Sequence, residues 1–481
     1  MIDLGLARIG RLLQHAPPRA WKAVHVAGTN GKGSVCAYLS AMFHARGVPS
    51  ARFTSPHFVD RWDCVVVDER VVPEATFHSA EEAVLQRDRA EQIGATEFEL
   101  LTATAFEVFN AVLPSGGFGV VECGLGGSLD ATTAMRAERA VTIVTRIGLD
   151  HQGLLGSTTA AIAAHKAGIM QPGVPCVVDP ANRDDHAVRD VLEARAKAVG
   201  APLVYPDPLL LLRGGHSANA SGGLARPVAR LGLEPHQLTN LACAYAAFQI
   251  ATGQIGSKDG NVGSADATAD AENEPDTEFL ASIAQQLRWP GRLQKLDVAP
   301  LLKAKGNADD DHIPNKVPVL LDGAHNPQSA DALAAYVNKH LRGGHSSGPI
   351  TWILAASQGK DLDEILRPLL RPGDRVAAVT FGPVDGMPWV KPAAPSAILK
   401  RATELGLNAE TDQHPTTQSV IEEGSIVHDP NSLASALRWA TADGGHGYPV
   451  VIAGSLYLVS DTLRLLRQSG GETGLPRVSV L

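Results

Sequence analysis

The stretch HVAGTNGKGSVCAYLSAMF, His25 to Phe43, constrains this chain more than any other. KAVHVAG, which leads into it, is a short apolar run of strand type. Behind it, Val35, Leu39, Met42 and Phe43 recur at helical spacing. Between strand and helix lies a turn containing Gly28, Gly31 and Gly33, and glycine opens backbone conformations closed to other residues. The amides of such a turn, with the N-terminus of the helix it opens, suit a polyphosphate. Lys32 adds a cation, and Ser34 a hydroxyl within reach of phosphate or Mg²⁺. The spacing departs from G-x-x-x-x-G-K-[ST], because Gly33 stands between Lys32 and Ser34. Such a loop points to a nucleotide without deciding between hydrolysis, phosphoryl transfer and ligation.

Short apolar runs then alternate with helical patterns. FGVVECGLGG, AVTIVTRIGLDH and VPCVVD read as strands ending in Gly or polar residues, and HQLTNLACAYAAFQIATG reads as a helix. This order predicts an α/β fold, a P-loop-type N-terminal domain with a mostly parallel sheet. A second strand-helix series begins near Val317 with VPVLLDGAHNP and continues through TWILAAS, RVAAVTF and PVVIAGS. It predicts a smaller α/β, Rossmann-like C-terminal domain. The polar stretch 303–316 reads as the linker, giving domains at 1–302 and 317–481. Two Gly-, Ser- and Asp-rich segments, 213–227 and 253–278, read as surface insertions.

Composition narrows the function. The 481 residues carry a formal net charge of −9, which disfavours general nucleic-acid or membrane-surface binding. Anionic substrates would have to be drawn by local Lys, Arg, amides and metal ions. Five cysteines occur without a CxxC pair, which argues against both a disulfide framework and a zinc site. No apolar run reaches the ~20 residues of a membrane span. The N-terminal MIDLGLARIGRLLQH reads as an amphipathic helix rather than a transit peptide. The expected location is therefore cytoplasmic, with mitochondrial as the alternative, and the expected state is a monomer.

Seven motifs then occur in one order: AGTNGKGS, TSPH (Thr54–His57), ECGLGG (Glu122–Gly127), LDH (Leu149–His151), KAGI (Lys166–Ile169), WPGR (Trp289–Arg292) and DGAHNP (Asp322–Pro327). Together they resemble the folylpolyglutamate synthase and dihydrofolate synthase family of the Mur-ligase group, from residue 2 to roughly residue 467. IDLGLARI, TEFELLT (Thr96–Thr102), GMPW (Gly386–Trp389) and GSLYL (Gly454–Leu458) look like the fungal dihydrofolate synthase branch.

The resemblance implies ATP-dependent joining of the L-glutamate amine to a carboxylate through an acyl phosphate. In dihydrofolate synthases the carboxylate belongs to 7,8-dihydropteroate; in folylpolyglutamate synthases it belongs to a folate's glutamate tail. It also implies ATP contacts from Gly31, Lys32, Gly33, Ser34, Asn240, Arg292, Asp322 and His325. Mg²⁺, two ions per site, would be held by Ser34, Ser55, Glu122, His151 and, if it carries a carbamate, Lys166. Lys32, His151 and Lys166 would serve the chemistry. Four positions depart from the family's pattern: Ser128 replaces an arginine, Thr133 an asparagine, Arg146 a serine and His165 a glutamate. These departures keep a nucleotide-binding protein without ligase activity open as an alternative to the two ligases. The loop alone would also fit a simple phosphotransferase or ATPase.

Overall fold

The computed structural model describes residues 4–14, 20–212, 228–254, 275–287, 289–303, 315–343, 348–405, 431–441 and 447–476. It forms two compact units, one of residues 1–56 and 62–287 with the last few residues of the chain, the other of residues 57–61 and 288–475. The division at 287/288 precedes the 303–316 stretch expected as linker, most of which lies outside the described residues. The physical reason is a strand the sequence pattern does not announce. Gln294–Asp297 pairs antiparallel with Pro318–Leu321, so the second sheet has already begun. The insertion at 213–227 also lies outside the described residues, as does most of the one at 253–278.

The first unit is built on an eight-stranded sheet of order β4-β3-β2-β5-β1-β6-β7-β8. Its strands are β1 Lys22–Ala27, β2 Ser50–Phe53, β3 Val65–Val67, β4 Arg70–Val71, β5 Phe118–Glu122, β6 Arg139–Val144, β7 Cys176–Val178 and β8 Leu203–Val204. In sheet order from β2 to β8 every pairing is parallel; at the other edge the β2–β3 and β3–β4 pairings are antiparallel. Strands buried on both faces read as continuous apolar runs, which is how β1 and β5 look in the sequence.

Helices cover both faces: α1 Ala7–Leu12, α2 Lys32–Ala45, α3 Glu74–Ala90, α4 Glu97–Val112, α5 Gln152–Leu155, α6 Thr159–Ala167, α7 His186–Val199, α8 Pro235–Ala251 and α9 Thr277–Gln286. One core places Val35, Leu39 and Phe43 of α2 with Leu241 and Phe248 of α8. Another places Ile162 of α6 and Leu192 of α7 against Val144 and Val178. The TEFELLT stretch opens α4 with a capping box in which Thr96 and Glu99 satisfy each other's amides. Such a cap stabilises a helix by about 0.5–2 kcal/mol, and Glu99 also pairs with Arg8 at 2.9 Å.

The second unit has a five-stranded sheet of order β12-β11-β13-β10-β9, formed by β9 Gln294–Asp297, β10 Pro318–Leu321, β11 Thr351–Leu354, β12 Arg375–Ala378 and β13 Val450–Ala453. Its pairings are parallel except β9 with β10. GSLYL lies where β13 turns into a helix, Leu456–Gln468, whose N-cap is Ser455. The short segment 57–61 belongs here because Phe58 and Val59 are buried among Leu321, Ile353 and Val459.

Candidate active site

In open parallel sheets ligands bind beyond the carboxyl ends of the strands. The order β2-β5-β1-β6 sets four such ends side by side. β1 opens into the Gly28–Ser34 loop, β5 ends at Glu122, Ser55 follows β2, and Arg146 to His151 follow β6. Adjacent strands therefore bring together residues that the sequence holds far apart.

The loop is fixed from below. Thr29 and Asn30 donate their amides to the Arg146 carbonyl at 2.9 and 3.2 Å. The Thr29 hydroxyl is held between the carbonyl and amide of Gly148, at 3.0 Å each. Gly31 has φ of 92°, a conformation that favours glycine. A Cβ there would collide with Oδ1 of Asn240, so this glycine lets the buried Asn240 of α8 approach the loop. The first hydrogen bond of α2 runs from Val35 to Gly31, which leaves the amides of Lys32, Gly33 and Ser34 without an intrahelical acceptor. The positive end of the helix dipole and these three amides thus lie at the loop, where Lys32 Nζ also donates to the Thr29 carbonyl at 3.2 Å.

Glu122 is buried at the end of β5. Its Oε2 accepts the Ser55 amide at 3.2 Å, and its Oε1 lies 3.9 Å from Lys32 Nζ. Hence a carboxylate, the Ser55 backbone and a cation meet beside the loop. Lys166 is also brought in. It is buried, and its Nζ donates to the Gly28 carbonyl at 2.6 Å. Burial first, and the Lys32 charge second, lower its pKa to about 7, so much of it is a neutral amine at physiological pH.

Lys166 is placed by the GLGG turn. A Cβ on Gly127 would meet the His165 carbonyl and the Lys166 Cα, and the Ser128 amide donates to the His165 carbonyl at 2.9 Å. Thr133 donates its hydroxyl to the Gly127 carbonyl at 2.6 Å. Two departures from the family pattern, Ser128 and Thr133, thus support the turn, and His165 joins it through its carbonyl.

Beneath the turn lies a buried polar chain that motif reading missed. Asp130 accepts from the Leu125 amide at 2.7 Å, the Thr132 amide at 3.0 Å and the Thr132 hydroxyl. That hydroxyl oxygen in turn accepts from His25 Nε2 at 2.9 Å, with Cys123 Sγ at 3.1 Å from the same nitrogen. Burial holds the His25 pKa down at about 3, so the ring is neutral. The only signal in the sequence is a lone histidine within the apolar run of β1 and an Asp-x-Thr after the GLGG turn.

His151 is exposed and left-handed, with φ of 53°, and its amide donates to Asp150 Oδ1 at 2.8 Å. Among the described residues no three His, Cys, Asp or Glu side chains converge as metal ligands. Any metal donors here would come from hydroxyls, Glu122, water and the ligand itself. The five cysteines are all buried.

In the second unit, Arg292, Asp322 and His325 form a group of their own. Asp322 is buried and accepts from Leu293 at Oδ2 and Ala324 at Oδ1, both at 2.8 Å. Burial raises its pKa, opposed by the neighbouring Arg292. Arg292 packs where a Cβ on Gly323 would be, and His325 Nδ1 donates to the Gly323 carbonyl at 2.7 Å. The following helix, Pro327–His340, is capped by Asn326.

Comparison with known proteins agrees with this layout. The family described as "Dihydrofolate synthetase, C-terminal domain" matches residues 306–465. Dihydrofolate synthetase of Saccharomyces cerevisiae is 33% identical over 470 residues, covering 96% of this chain and 98% of the yeast protein. E. coli FolC in complex with DHPP and ADP superposes with a TM-score of 0.68 at 22% identity, covering 97% of this chain and 94% of that one. A bifunctional folylpolyglutamate synthase/dihydrofolate synthase with Mn, AMPPNP and L-glutamate bound gives 0.66 at 24% identity, covering 97% and 95%. With such identity to the yeast protein along nearly its full length, the chain belongs to the dihydrofolate synthase and folylpolyglutamate synthase family.

Proposed function

We propose that this protein is a dihydrofolate synthase, an ATP-dependent ligase that joins L-glutamate to 7,8-dihydropteroate in folate biosynthesis. One observation carries the reading: Lys32, Glu122, the Ser55 amide and the near-neutral Lys166 gather around one Gly-rich loop at neighbouring strand ends. The identity to the yeast dihydrofolate synthetase supports the choice of acceptor.

A carboxylate is a poor acyl donor because oxide is a poor leaving group. Transfer of the γ-phosphoryl group of ATP to the carboxylate makes an acyl phosphate. The glutamate amine then attacks the carbonyl, loses a proton, and phosphate departs. Both steps crowd anions together, so the site needs fixed positive charge more than a protein nucleophile. Lys32 and the free amides of Lys32, Gly33 and Ser34 take the β- and γ-phosphates, and Asn240 lies against the same loop.

The donors present fit Mg²⁺, a hard cation that prefers oxygen and retains several waters. Ser34, Ser55 and Glu122 would hold one such ion, with His151 meeting it through water. When bound, the metal neutralises charge on the transferring phosphoryl group. Lys166 fits a second site only as a carbamate. Its neutral amine adds to CO₂ with loss of a proton, turning a cation into a carboxylate-like oxygen donor. In the second unit, Asp322 holds the Leu293 amide next to Arg292 and the Ala324 amide next to His325.

The test is ADP release by the purified chain with each acceptor, with and without L-glutamate. Turnover that needs dihydropteroate and glutamate together, with one glutamyl unit added by mass, is expected. Extension of folate tails without use of dihydropteroate would make the protein a folylpolyglutamate synthase instead.

A further inference from the structure

Arg146 stands where the family's pattern has serine. Its backbone is part of the loop's foundation, because its carbonyl accepts both the Thr29 and Asn30 amides and it forms an isolated antiparallel bridge with Asn30. Its side chain is half-buried, and Nη1 is buried without a hydrogen-bond partner. A guanidinium nitrogen withdrawn from water and left without an acceptor is costly, and such a group calls for an explanation.

Burial raises the pKa of Asp179, which follows β7, and the Arg146 charge is among the groups that oppose the rise. Asp179 accepts the Ala181 amide at 2.9 Å, and among the described residues no ion pair joins it to Arg146. Asp179 also acts on Cys243 of α8, the helix that brings Asn240 to the loop. Arg146 and Asp179 thus follow β6 and β7 on one side of β1, while Glu122 and Ser55 follow β5 and β2 on the other.

We propose that Arg146 is a nucleotide-binding residue, its guanidinium taking the diphosphate stretch that ATP and ADP share. The inference rests on the proposed placement of nucleotide in the Gly28–Ser34 loop. It supplies a cation to a chain in which Ser128 has replaced the family's arginine. Arginine suits this role because its planar fork can bond two phosphate oxygens at once.

The experiment is calorimetric titration of the full chain with MgADP and MgATP, for the wild type, Arg146→Ser and Arg146→Lys, beside steady-state kinetics. Arg146→Ser is expected to weaken ADP and ATP by the same factor, roughly tenfold or more. KM for ATP should rise with kcat changed little, and Arg146→Lys should recover part of the loss. Arg146→Gln, of similar length, carries the test should the serine variant fail to fold. A variant that binds ADP as tightly as the wild type overturns the inference, as does a lowered Tm with an unchanged ADP-induced shift. Weakening of ATP alone would move the contact to the γ-phosphate and overturn the placement. A wild-type chain that binds neither nucleotide overturns the functional reading itself.

Discussion

In the Gly28–Ser34 loop, Gly31 makes room for a side chain, Asn240, and the next three amides remain without protein acceptors. In the Gly124–Ser128 turn, Gly127 makes room for a backbone, that of His165 and Lys166, and the Leu125 and Ser128 amides are used internally. Leu125 donates to Asp130, Ser128 to His165, and Asp130 to the Gly127 carbonyl. Both turns need glycine for close approach. One leaves its amides for a ligand, and the other uses them to position a lysine. Glycine content alone does not separate a binding loop from a scaffold; the fate of the amides does.

That contrast breaks most readily at Lys32. Lys32→Ala should lower ligase turnover by ~10²–10³, as loss of a preorganised charge at transferring phosphate does. Tm should fall by less than activity does, because the side chain makes one hydrogen bond, to the Thr29 carbonyl, and a longer contact with Glu122. Steady-state kinetics with a thermal melt checks both, and near-normal activity at limiting ATP and Mg²⁺ would remove the loop from the phosphate site.

Next is Lys166→Ala, with an expected loss on the order of 10² in acyl-phosphate formation while ATP still binds. Formate or acetate in solution should restore part of the activity by replacing the missing oxygens. For the wild type the direction with pH follows from the lowered pKa of about 7. Below it the amine is protonated and cannot add to CO₂; above it the amine is neutral. Activation by added bicarbonate should therefore grow from about pH 6 to pH 8. Bicarbonate-independent activity throughout, together with a fully active Lys166→Ala, would return Lys166 to an ordinary buried amine.

Gly127→Ala tests the scaffold side. The new methyl must displace the 165–166 backbone, at a cost of about 1–3 kcal/mol read by chemical denaturation. ADP affinity of the folded fraction should stay close to normal. A variant of wild-type stability with lost ADP binding would reverse the division of labour between the turns. The smallest effect is expected of Thr133→Val, which removes the hydroxyl donated to the Gly127 carbonyl, at about 0.5–1.5 kcal/mol.

Much of this was legible in the sequence, for identifiable reasons. The buried parallel strands announce themselves as apolar runs, and the Gly-Lys-Gly-Ser order marks the loop. Gln294–Asp297 escaped because QKLD lacks the alternation of a half-buried strand, and only pairing with β10 makes it one. The convergence of Glu122, Lys166 and the loop depends on sheet order, which brings distant segments together and leaves no local trace. Asp130, His25 and Thr132 were missed for a related reason. Their role is to satisfy one another out of water, and isolated polar residues far apart in the chain do not declare their partners.

The claim that the loop and the buried lysine serve one ligation is tested most directly by the reaction's dependence on its substrates. ADP release by the wild-type chain should require dihydropteroate and L-glutamate together, yield one glutamyl addition per ADP, and fall sharply in both Lys32→Ala and Lys166→Ala. ADP release of equal rate without glutamate, or unchanged in both variants, would contradict the account.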